Sequence, residues 1–352
     1  MATPRILFVN PNFEDYLSDG LFHGLRTLLG ANVVDFPKAE YMYESYPAGR
    51  RQRLYGRGFT LYGLLEDVEI DRNRCLDRAS DGEFDLVVFA DIWRNFGLFV
   101  QWAPQLDDVT LAVLDGADRI EPYPYSGFWW RVRHWWLLPR AHRRAAYFKR
   151  EITPWTYWFR SYLTLPPPVA RGVGLLRNIQ PIAFSIPEEK VLEAAPEKER
   201  EFASHVVDEE VAHRIGGRTA YVFERESDYY ADLRRSRFGV TTKRAGWDCL
   251  RHYELAANGC VPCFRALDRK PPLCAPHGLN ESNCISYESV DDLMQRVEGI
   301  DEHEYRALQA GALTWARANT TRIRAERFLA TLGLRTAAEK DALEVAPASG
   351  SG

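Results

Sequence analysis

The 352-residue sequence has little cysteine, no surplus of positive charge and no long apolar run. Six cysteines (Cys75, Cys249, Cys260, Cys263, Cys274 and Cys284) in a chain of this length do not make a disulfide scaffold. A formal net charge of −4 argues against a dedicated nucleic-acid binder, which is normally basic overall. The first apolar stretch, Arg5–Asn10 (RILFVN), is too short for a signal-peptide core or a membrane span. The expectation is a cytoplasmic protein with reduced thiols. There is no P-loop, no G-x-S-x-G and no glycine-rich nicotinamide turn after the first strand, so the chemistries those turns serve are set aside.

What is present is an ordinary globular composition, 46% hydrophobic and 27% charged. Single cores stop growing near ~250 residues, so the length suits two domains. Arg5–Asn10, Asn32–Phe36, Asp85–Ala90 and Thr110–Asp115 are short apolar runs that read as buried parallel strands. Between the first two, Leu21, Leu25, Leu28 and Leu29 form a helical stripe over Ser18–Leu29, with Ser18 as the expected N-cap. Alternating strands and helices predict βαβ units and an open parallel sheet. A second series is predicted from Pro181–Ser185 as entry strand. It continues through a charge-dense helical stretch over 188–215, strand Thr219–Phe223, helix Asp228–Arg235, strand Phe238–Thr242, helix Cys249–Asn258 and strand Cys260–Phe264. From Asp301 a single long amphipathic helix is expected, carrying Leu308, Leu313, Trp315, Ile323 and Leu329. Residues 336–352 read as a frayed tail.

The informative stretch is Ser227–Pro262. A strand ends at Thr242, a basic turn follows with Lys243, Arg244, Gly246 and Trp247, and a helix begins near Asp248. Open α/β sheets bind ligands at the carboxyl ends of their strands, and a helix N-terminus there offers amides and a positive dipole end to phosphate. Glycine at 246 lets backbone approach closely. Arg251 and Glu254, three apart, share a helix face. The arginine suits a diphosphate, and the carboxylate can accept two hydrogen bonds from a ribose diol. The bland reading, a surface ion pair worth a few tenths of a kcal/mol, loses weight in this context.

The order Ser-Asp-Tyr-Tyr, Leu-Arg-Arg-Ser-Arg-Phe, Gly-Trp-Asp-Cys-Leu-Arg-His-Tyr-Glu and Gly-Cys-Val-Pro resembles the donor site of exostosin-like and related GT-B glycosyltransferases. The resemblance implies an α/β protein of two facing Rossmann-like domains, with a C-terminal helix crossing back to the first. It also implies a nucleotide-sugar held by the C-terminal domain through Lys243, Arg244, Gly246, Trp247, Arg251 and Glu254, and no metal or other cofactor. The corresponding division is 1–175 for an acceptor domain, 176–312 for the nucleotide-sugar domain, 313–335 for the crossing helix and 336–352 for the tail. The expected activity is transfer of a sugar to a hydroxyl acceptor, a saccharide or a lipid-linked glycan. A nucleotide-sugar epimerase of similar outline and a non-catalytic glycan- or lipid-binding protein are the alternatives.

Other residues carry weaker signals. Asp19 and His23 open the first helix and are expected to face the cleft, where either suits a general base; Asp19 equally suits a helix N-terminal turn. Asp115 and Asp91 follow strands at the carboxyl edge, as acceptor-orienting groups or as caps. Glu151 is a further cleft candidate, or an ion-pair partner of Lys149 or Arg150. Six of the ten tryptophans, Trp129, Trp130, Trp135, Trp136, Trp155 and Trp158, lie among arginines. Three readings stay open for residues 128–160: a peripheral membrane contact on the inner face of a membrane, a stacking platform for sugars, or a domain core. Cys260-x-x-Cys263 lies in a strand whose period of two sends these positions to opposite faces, so buried thiols are expected rather than a zinc site.

Overall fold

In the computed structural model, residues 3–122, 144–156 and 179–334 are described. The first sheet contains β1 (Ile6–Val9), β2 (Val33–Phe36), β3 (Leu86–Phe89), β4 (Thr110–Asp115), β5 (Ala146–Lys149) and β6 (Ile179–Pro181). They are all parallel, in the order β2-β1-β3-β4-β5-β6. The apolar runs are buried on both faces, as parallel strands require. On β1, Ile6 and Phe8 enter one core cluster while Leu7 and Val9 enter the other. Helix α1 (Tyr16–Leu29) covers the first face; α2 (Ala48–Arg51) lies beyond β2, and α3 (Cys75–Ser80) and α4 (Ile92–Trp102) contribute to the second face.

The second sheet is also parallel, in the order β10-β9-β8-β7, with β7 (Arg200–Phe202), β8 (Ser236–Thr242), β9 (Val261–Arg265) and β10 (Ile285–Tyr287). Its helices are α5 (Glu209–Ile215), α6 (Glu226–Arg235), α7 (Leu250–Ala257), α8 (Val290–Gly299) and α9 (Glu302–Arg317). Helix α10 (Thr321–Thr331) returns to the first domain and packs on α1. The contact is close because position 24 is glycine: a Cβ there would stand 1.9 Å from the Thr321 carbonyl oxygen.

Several element assignments differ from expectation. The α1 N-cap is Asp15, whose extended backbone lets its carboxylate accept from the Ser18 N–H. The apolar stretch at 181–185 does not open the second sheet, because Ile179–Pro181 pairs with β5 as the last strand of the first. The charged stretch 188–215 is not one helix; it contains β7, whose edge position leaves Arg200 and Glu201 exposed and so hides the strand signal. Thr219–Phe223 forms no strand, and Tyr221 and Phe223 instead join an aromatic cluster with Tyr229. The long C-terminal helix is two helices, broken at Ala318–Thr320. There the chain pairs with the other interdomain crossing: Ile186 N–H donates to the Asn319 carbonyl at 3.2 Å and Thr321 N–H to the Ile186 carbonyl at 2.8 Å. Thr320 then caps α10.

Among the described residues no helix is long and apolar enough to cross a membrane. Of the Trp/Arg segment, Trp155 is described and exposed. The other five tryptophans, the stretch of the membrane-contact expectation that contains them, the 175/176 boundary and the 336–352 tail lie outside the described residues.

Candidate functional site

Strand β8 is interior to its sheet and ends at Thr242, and the chain then turns through Lys243–Asp248 into α7. Beside this turn, between the two sheets, is a cavity of about 370 Å³. The second domain lines it with His205, Tyr221, Tyr229, Thr241, Thr242, Arg244, Cys249, Arg251 and Glu254, and the first with Tyr16, Gly56 and Phe59. Tyr16 opens α1 just beyond the carboxyl end of β1, so the carboxyl edges of both sheets face the same gap.

Arg251 and Glu254 both line the cavity, one turn apart on α7. Arg251 is buried and anchored by backbone carbonyls, donating to Val240 at 3.3 Å and to His205. Its guanidinium is thereby held at the end of the sheet with donors to spare. Glu254 accepts from Tyr229 Oη at 2.8 Å and from the Thr60 hydroxyl. Burial pushes its carboxyl above the usual range, opposed by those hydrogen bonds and by the Arg251 charge. The α7 N-cap, Cys249, makes no side-chain capping bond, so the first amides of the helix have no side-chain acceptor there. Burial and the Arg251 charge lower His205 to about 4, keeping it neutral near pH 7.

The basic turn is held by the first domain. Glu151 Oε1 accepts from the amides of Trp247 at 2.8 Å and Asp248 at 3.4 Å. Arg150 donates to the Asp248 carbonyl at 2.7 Å, with its guanidinium stacked 4.3 Å from the centre of the Phe184 ring. A Cβ at Gly246 would come within 2.5 Å of Asp118 Oδ1 and 2.6 Å of Glu151 Oε1. The close approach that glycine permits here is therefore to carboxylates of the first domain. Lys243 and Arg244 are exposed, and the Lys243 ammonium lies 5.8 Å from the centre of the Trp247 ring.

Asp19, His23 and Asp115 do not line this cavity. Asp19 is buried and accepts from the Asp15 N–H at 2.8 Å and Tyr41 Oη at 3.2 Å. Burial, reinforced by the Asp15 carboxylate, pushes it well above the usual carboxylate range. His23 is buried between helices, with Nδ1 2.9 Å from Thr321 Oγ1 and Nε2 3.4 Å from Glu189. Asp115 is a fully buried hub: Oδ2 accepts from Tyr147 at 2.6 Å and Lys149 at 2.9 Å, and Oδ1 from Trp93 Nε1 at 2.9 Å and the Ala117 N–H at 3.1 Å. Asp91 caps α4 through Trp93 N–H and pairs with Arg94.

Sequence reasoning passed over Phe59 and Thr60, which lie in a loop with no periodic signal, and His205 and Tyr221, which lie in stretches that read as helix and strand but form neither there. Cys260 and Cys263 enter different core clusters, and all six thiols are free. No group of three or more metal-ligating side chains occurs among the described residues.

No protein-family model matches the sequence, and no curated protein does. Solved structures do. Anabaena HepE in complex with UDP matches at a TM-score of 0.50 and 10% identity, over 94% of this chain and 99% of that one. Sucrose-phosphate synthase from Thermosynechococcus elongatus matches at a TM-score of 0.50 and 10% identity, over 94% of this chain and 98% of that one. The fold is GT-B. At this identity the likeness is one of architecture: two Rossmann-like domains with the cleft between them, spanning nearly the whole of both relatives.

Proposed function

We propose that this protein is a glycosyltransferase that takes a sugar from a nucleoside-diphosphate donor and gives it to a hydroxyl acceptor, a saccharide or a lipid-linked glycan. The observation that carries the reading is the joint placement of Arg251 and Glu254 on one cavity at the carboxyl end of β8, facing the first domain. Arg251, the exposed Arg244 and the uncapped start of α7 offer positive charge where a leaving diphosphate forms. Glu254 offers a carboxylate one turn further along the same helix. Tyr221 and Tyr229 supply aromatic walls for a base. HepE, of the same architecture, was solved with UDP, which makes uridine diphosphate the first ligand to try.

The reaction breaks the bond between the anomeric carbon and the phosphate oxygen and forms one to the acceptor oxygen, whose proton must leave. Placing both reactants in one closed cleft lowers the barrier by positioning and by excluding water. Asp19, His23 and Asp115 are buried away from this cavity, so their part is to shape the first domain. The test is calorimetric titration with a panel of nucleoside diphosphates. Wild type should bind at least one, and Arg251→Ala and Glu254→Gln should each weaken it roughly 10- to 100-fold, the scale of a lost charge-assisted hydrogen bond. Failure of every nucleoside diphosphate to bind wild type would sink the reading.

A further inference from the structure

The first domain reaches across the cleft with a segment whose backbone is under strain. Between Tyr55 and Gly63, residues Gly56, Arg57, Gly58, Thr60 and Gly63 all have positive φ. Thr60, at φ 72°, is β-branched in a region such residues avoid, and conformations of this kind persist only where surrounding contacts hold them. Contacts from the second domain do so here. The Thr60 N–H donates to Glu226 Oε1 at 2.6 Å, and its hydroxyl donates to Glu254 Oε1. The Tyr230 hydroxyl, 2.9 Å away, then donates to Thr60, since the single Thr60 proton is already directed to the carboxylate. Beside it Phe59 is buried against Tyr221 and Tyr229, with ring centres 6.0 and 6.4 Å apart. With Tyr229 on Oε2, both oxygens of Glu254 are engaged.

We propose that the Tyr55–Gly63 segment is a latch on the donor site, its Thr60 hydroxyl standing on Glu254 where the ribose diol of a nucleoside diphosphate binds. The inference rests on the donor reading of Glu254 given above. A vicinal diol brings two donors to a carboxylate on which Thr60 places one. Release also lets Thr60 leave its left-handed conformation, and that relief of strain offsets part of what breaking its hydrogen bonds costs. Because the latch belongs to the first domain and its catch to the second, filling the donor site undoes a link between the domains. Ligand occupancy and domain position are thereby coupled.

The test compares uridine diphosphate, or whichever nucleoside diphosphate binds wild type best, with its 2′,3′-dideoxy analogue. Thr60→Ala removes the competing hydroxyl and should tighten the ribose diphosphate about 3- to 10-fold, the scale of one hydrogen bond. Thr60→Ser should stay near wild type. The dideoxy analogue has no diol to place on Glu254 and should gain nothing from Thr60→Ala. Tyr230→Phe, which frees Thr60 from its second hydroxyl partner without touching Glu254, should shift affinity in the same direction and serves if Thr60→Ala does not fold. Unchanged or weaker binding of the ribose ligand by the variants, or an equal gain for both ligands, overturns the latch while leaving the donor site standing. Absence of binding by wild type and variants alike overturns the donor reading and the latch with it.

Discussion

At the scale of single residues, buried charge decides most of what these side chains do. Lys149 and Asp115 are both fully buried and 2.9 Å apart. Removing one partner leaves the other uncompensated, so Asp115→Ala should cost about 3–5 kcal/mol in denaturant unfolding. Asp115→Ala combined with Lys149→Met should recover much of that loss, a result that a purely catalytic Asp115 would not produce. Asp19 makes a pH prediction. Its folded carboxyl holds a proton to higher pH than the unfolded chain does, so the stability it contributes is complete below about pH 4 and is lost as pH rises through the raised value. Asp248 and Glu254 are raised in the same direction and add to the slope. Asp19→Asn should flatten, without abolishing, the decline in unfolding free energy as pH rises above about 4.

At the scale of elements, the joint between α1 and α10 is set by a missing side chain. The Thr321 carbonyl lies where a Cβ at position 24 would go, and both atoms belong to helices that cannot yield singly. Gly24→Ala should therefore destabilise by about 1–3 kcal/mol, read as a drop in melting temperature of several degrees. The elements also show which signals sequence carries. Strands β1, β3 and β4 and helix α7 sit where their apolar periodicity puts them, because burial on both faces or along one stripe writes itself into composition. Strand β7 escaped because an edge strand of three residues presents Arg200 and Glu201 to solvent. The break at Ala318–Thr320 escaped because its cause is a pairing with Ile186, more than a hundred residues away along the chain. Thr219–Phe223 had the composition of a strand, but its aromatic rings found partners in Tyr229 rather than a neighbouring backbone.

At the scale of the whole molecule, the two domains are joined through the turn that leads into α7. Arg150 is 2% exposed and ties the Gly116 carbonyl of the first domain, at 2.9 Å, to the Asp248 carbonyl of the second. Glu151 holds the adjoining amides. Arg150→Ala should loosen this joint while leaving each sheet intact. Small-angle scattering should then report a larger radius of gyration, and the thermal transition should broaden or divide. An unchanged scattering profile would show that the crossing segments at Ile186 and Asn319 suffice to hold the domains.

The amino-acid order by itself determined the parallel αβ architecture, the division into two lobes and the helix on which Arg251 and Glu254 share a face, because periodicity and local turn chemistry act over a few residues. It could not say that Gly246 makes room for carboxylates of the other domain, that His23 is held by Thr321, or that Thr60 reaches Glu254. Those facts join residues 95 to 298 positions apart. Such contacts arise only when two separately folded sheets bring their carboxyl edges together, and nothing local in the chain encodes which loop will meet which.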